Sequence, residues 1–102
     1  MKLVVEFDIY ADLLEVPASV VEQRNKLRNQ FLDWLYNPKS RHNHYEYMVD
    51  AAGRRTKCMV YGTKEFVEWL NRKALRNSEE KATIAASDID TDQYKDVPSI
   101  FF

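Results

Sequence analysis

Phe31-Leu32-Asp33-Trp34-Leu35 returns thirty-five residues later as Phe66-Val67-Glu68-Trp69-Leu70. In each copy the aromatic and aliphatic residues fall at i, i+3 and i+4, so they share one face of a helix. A chain of 102 residues that carries one helical ending twice must bury two apolar faces, and units this small cannot do so alone. The two copies are therefore expected to pack against each other in a single core.

Leu3, Val5, Phe7 and Ile9 alternate with Val4, Glu6, Asp8 and Tyr10, which predicts a strand over 2–10. Residues 12–18 read as a connection, since Pro17 is favoured at the start of a helix. Ser19 and Glu22 have capping-box spacing, and Val20, Leu27, Phe31, Trp34 and Leu35 follow at helical spacing. That helix should end near Tyr36, because Pro38 disfavours helical geometry at Asn37. Residues 44–50 and 54–61 predict a hairpin around Asp50-Ala51-Ala52-Gly53. Thr63 is the expected N-cap of a second helix reaching Leu75, and 81–87 the expected last strand. The order strand, helix, strand, strand, helix, strand is the split βαββαβ plan of ferredoxin-like folds. It implies an α+β sandwich with two helices on one face of a four-stranded antiparallel sheet. On this reading 1–87 is a single domain and 88–102 is an acidic C-terminal tail with an apolar Phe-Phe end.

With helices on one face, the other face is expected to be open, and the hairpin register decides what it shows. A four-residue loop pairs Val49 with Arg54, sets Glu46 opposite Lys57 and gathers Tyr45, Tyr47 and Val49 with Thr56, Cys58 and Val60 toward the core. This register is preferred, and it leaves Val4, Glu6, Asp8, Met48, Arg55, Lys57, Met59 and Tyr61 on the open face. A three-residue loop pairs Asp50 with Arg54 and puts Tyr45 and Tyr47 beside Arg55, Lys57 and Met59. There, unpaired bases could stack on the rings while cations meet phosphates.

The formal charge of −1 predicts no bulk attraction to nucleic acid or to an anionic membrane. Locally, Arg24 to Arg76 holds twelve Lys/Arg against five acids, a net of +7. Solvated helix faces account for most of these cations, and no reader motif accompanies them. His42 and His44 fall short of the three or four ligands a zinc site needs. Cys58, the only cysteine, reads as a small core residue. With two glycines in the chain there is no phosphate-cradling loop, and Glu6 with Asp8 reads as a solvated strand face. No catalytic constellation, cofactor or metal is expected. There is no apolar run near eighteen residues and no signal-like start, so the expected location is the cytoplasm.

Asp88, Asp90, Asp92 and Asp96 precede Val97-Pro98-Ser99-Ile100-Phe101-Phe102. This ending resembles the acidic, Phe-terminated tails of bacterial single-stranded DNA-binding proteins, with Ser99, Ile100 and a second Phe where that family closes on Pro-Phe. It also resembles sliding-clamp peptides, although Lys95 and Pro98 stand where those want Gln and an aliphatic residue. Either resemblance implies a docking peptide. The alternative is that Ile100 to Phe102 packs back as an edge strand, since bare Phe pairs are costly.

The functional expectation is a non-enzymatic module that binds a protein partner or a second copy of itself. Its contacts would be Val4, Met48, Met59, Tyr61, Ile100, Phe101 and Phe102. The rival is a small single-stranded nucleic-acid-binding protein using Tyr45, Tyr47, Arg54, Arg55 and Lys57.

Overall fold

The computed structural model describes residues 1–37, 39 and 45–102. Among the described residues the chain is α+β, with a mixed four-stranded sheet, a separate two-stranded ribbon and three helices. β1 (Lys2–Glu6) and β2 (Ala11–Glu15) form an antiparallel hairpin that pairs Leu3 with Leu14 and Val4 with Leu13. The single strand expected over 2–10 is therefore broken after Glu6. The Phe7 N–H donates to the Tyr10 carbonyl at 2.8 Å, and Ile9 at the turn is 91% exposed. Neither Asp8 nor Ile9 takes a positive φ, so the turn needs no glycine or asparagine to mark it.

α1 (Ala18–Glu22) and α2 (Arg24–Leu35) are separated at Gln23, and the Arg24 guanidinium donates to the Val21 carbonyl at 2.8 Å at the end of α1. Ser19 lies inside α1, so the capping box expected there does not form. α3 (Thr63–Arg72) is capped at Gly62, whose N–H donates to the Glu65 carboxylate at 2.8 Å. Thr63 is thus the first helical residue, one position later than the cap it was expected to be. Phe31, Leu35, Phe66 and Leu70 are all fully buried, and the Phe31 and Phe66 rings meet edge to face at 5.3 Å. The two copies of the repeat do pack against each other. Each of these Phe side chains contributes about 1.5–3 kcal/mol through burial.

The sheet order is β5-β2-β1-β6, where β5 is Thr83–Ala86 and β6 is Ser99–Phe101. β6 runs parallel to β1, so the sheet is mixed, not antiparallel. The ribbon of β3 (Tyr45–Val49) and β4 (Arg55–Met59) bonds to no strand of the sheet. The ferredoxin-like order is not what the strands adopt. β1 is already bonded on both sides, by β2 and β6, and has no edge left for the ribbon. β6 brings Ile100 to 1% exposure against the core, whereas Met48 and Val49 of the ribbon stay 60% and 65% exposed.

Both sheet faces are covered. Leu3, Val5, Leu14 and Ile100 pack with Val20, Leu27, Phe31, Phe66 and Leu70 from the helices. Val4, Ala11 and Leu13 pack with Ala86, Ile89, Tyr94 and Val97, so the acidic segment is a strap across the face expected to be bare. Two bonds pin it: the Asp88 N–H donates to the Asp12 carboxylate, and the Ile89 N–H to the Ala11 carbonyl, each at 2.9 Å. Asp88 holds φ 54°, which an Asp tolerates better than most residues. Asp90 then caps a short 3-10 turn, Thr91–Tyr94, by accepting the Asp92 N–H. Since β6 completes the sheet, 88–102 is not set apart from a domain ending at 87.

Candidate interaction surfaces

The ribbon takes the register that was not preferred. Tyr45 pairs with Met59, Tyr47 with Lys57 and Val49 with Arg55. Its turn explains why. The Asp50 N–H donates to the Arg54 carbonyl and the Gly53 N–H to the Asp50 carbonyl, both at 3.0 Å, while Gly53 sits at φ 78°. This is a three-residue loop closed by a left-handed glycine. One oxygen of the Asp50 carboxylate accepts from the Ala52 and Arg54 N–H groups at 2.9 Å, and the other meets the Arg54 guanidinium at 3.0 Å. Five interactions at the turn fix the loop length, and with it the register, against the side-chain patterning that favoured the other pairing.

Met48, Val49, Arg54, Arg55 and Val60 are exposed along the ribbon, and Cys58 is half-buried. The side chains of Tyr45, Tyr47, Lys57 and Met59 lie outside the described residues, as do His42 and His44. Val4 is buried beneath the strap and Ile100 within the helix-side core.

Tyr61, just past the ribbon, is built into an aromatic cluster, with ring centroids 5.9 Å from Phe31, 6.0 Å from Phe7 and 6.1 Å from Phe102. Burial, then its hydrogen-bonded neighbour Tyr36, pushes the Tyr61 phenol above its ordinary value of 10. Half-buried in this cluster, Tyr61 ties the end of the ribbon to the body of the protein.

The C-terminal end forms the edge strand that was the alternative to a docking peptide, and it leaves one Phe of the pair exposed. Phe102 is half-buried, in a stack of Tyr10 on Phe7 at 4.8 Å and Phe7 on Phe102 at 5.1 Å. The Arg28 guanidinium lies 5.8 Å over the Phe102 ring, and its Nε donates to the Phe101 carbonyl. Phe101 itself is 65% exposed. Reading the sequence singled out the Phe pair but missed Arg28, which nothing distinguishes from other α2 cations until β6 is placed beside it.

Among the described side chains of the expected set, Met48, Arg54 and Arg55 on the ribbon and Phe101 on β6 are exposed. No protein-family model, curated protein or solved structure matches the chain. Among the described residues no helix is long and apolar enough to cross a membrane.

Proposed function

We propose that the protein is a non-enzymatic interaction module whose contact arm is the β3–β4 ribbon. The observation that carries this reading is a two-stranded ribbon, outside the sheet, that leaves Met48 and Val49 largely exposed. An isolated pair of strands is marginal in water, so apolar residues on it gain by docking. The net +7 of residues 24–76 selects the partner: an apolar protein surface rimmed by acids. Selection of random peptides displayed on phage, with this protein as bait, tests the idea. Peptides that combine apolar residues with Asp or Glu should be enriched, and should be lost when Met48→Ser and Val49→Ser are introduced together. Enrichment that ignores those two substitutions would sink it.

A second reading has its own support. The observed pairing of Tyr47 with Lys57 and Val49 with Arg55 is the register that suits single-stranded nucleic acid. Fluorescence anisotropy with labelled oligonucleotides separates the two, since phosphate-driven binding falls steeply with added salt. The protein-docking reading expects no such binding.

A further inference from the structure

We propose that the outer edge of β6 pairs antiparallel with β6 of a second copy, joining two four-stranded sheets into one of eight strands. The proposal is independent of the ribbon and rests on where the backbone groups of β6 point.

The Val4 N–H donates to the Pro98 carbonyl at 2.9 Å, and the Phe102 N–H donates to the Glu6 carbonyl at 2.9 Å. Pro98, Ile100 and Phe102 therefore turn their backbone groups toward β1. Strand alternation aims the groups of Ser99 and Phe101 outward, and the Arg28 bond to the Phe101 carbonyl reports that direction directly. Among the described residues β6 pairs with β1 alone.

This edge matches itself. In a two-fold pairing centred on Ile100, Ser99 stands opposite Phe101 of the second copy, and the two residues exchange both N–H and carbonyl groups. Four hydrogen bonds result. The Phe101 carbonyl has two lone pairs, so it can accept from the second copy while keeping Arg28. Ser99-Ile100-Phe101 carries no charged residue, proline or bulge of its own, although the Arg28 guanidinium meets this edge at the Phe101 carbonyl, whereas the register at the opposite edge of the sheet, β5 against β2, is broken by an irregularity.

The side chains agree with the backbone. Ser99 and Phe101 share the strap side of the sheet, where Ser99 borders a groove lined by Val4, Tyr94 and Val97. Phe101 of the second copy, opposite Ser99, would lay its exposed ring at that groove. The pairing satisfies the one large aromatic that β6 leaves in solvent. Three residues a side make a small interface, so the dimer should be weak and reversible.

Sedimentation velocity of the full chain up to about 1 mM reads the association. The wild type should dimerise within that range. Ser99→Pro deletes an outward N–H while leaving every bond to β1, and it should weaken the dimer on the order of tenfold or more. Phe101→Ser changes only an exposed side chain and should weaken it similarly, with thermal stability of both variants near wild type. Met48→Ser with Val49→Ser should leave it unchanged. A wild type that stays monomeric throughout overturns the proposal. So does a dimer that survives both edge substitutions, or one that the ribbon substitutions abolish.

Discussion

The β3–β4 ribbon was expected inside the sheet and stands apart from it, whereas the C-terminal segment, expected either as a docking tail or as an edge strand, supplies the edge strand β6. The ribbon has two five-residue strands and a well-marked turn, yet it stands outside the sheet. β6 has three residues behind a run of acids, yet it completes the sheet and seals its core with Ile100. Strand length and turn quality make a hairpin; they do not decide where it docks. What decides is how much apolar surface a segment removes from water beside a strand with a vacant edge.

The largest effect should come from removing the C-terminal segment. Truncation after Ser87 strips the strap from Val4, Ala11 and Leu13 and the parallel partner from β1. It should abolish cooperative thermal unfolding, and a truncated chain that melts like the full one would break the comparison. Ile100→Ala should cost about 2–5 kcal/mol in urea denaturation, as a fully buried side chain lost to a cavity. Met48→Ala should stay within about 0.5 kcal/mol, as expected for an exposed position without a special contact. The contrast between those two sharpens the comparison more than either value alone.

Smaller effects test the joint between the regions. Gly53→Ala forces a left-handed backbone on a residue with a Cβ, at a cost of about 1–2 kcal/mol. If the ribbon lies outside the cooperative core, that cost should loosen ribbon amides and leave the midpoint of global unfolding in place. Tyr61, which ties the ribbon to the aromatic cluster, gives a pH signature. Its folded phenol titrates above the value near 10 that the unfolded chain shows. Stability is then complete below about pH 10 and is lost as pH rises from there through the folded value. Tyr61→Phe should flatten that alkaline decline, which thermal melts at pH 9 to 11 would register.

Much of the helical core was legible. The repeated pentapeptide announced α2 and α3 and their mutual packing, because three apolar positions at helical spacing leave little choice. The Asp50 to Gly53 turn was legible too, but its register was not, since the loop's length depends on how the Asp50 carboxylate gathers Ala52, Arg54 and Gly53 around it. The β1–β2 turn escaped because Leu3, Val5, Phe7 and Ile9 continue one alternation straight through a bend that uses no turn-specific residue. The strap escaped for a related reason. Ile89, Tyr94 and Val97 are too widely and unevenly spaced to show a period, and the acids between them read as solvent-facing. The consequence for the site was direct: the face expected to bind is covered, and the exposed residues that remain sit on the ribbon and on the β6 edge.

Native-state amide hydrogen exchange, read residue by residue by NMR, tests the central claim most directly. The Val4 and Phe102 amides, which join β1 to β6, should exchange only through near-global unfolding, while amides of the ribbon exchange through local opening at a small fraction of that free energy. Ribbon amides protected as strongly as Val4, or a Phe102 amide that exchanges as freely as a frayed end, would contradict the account.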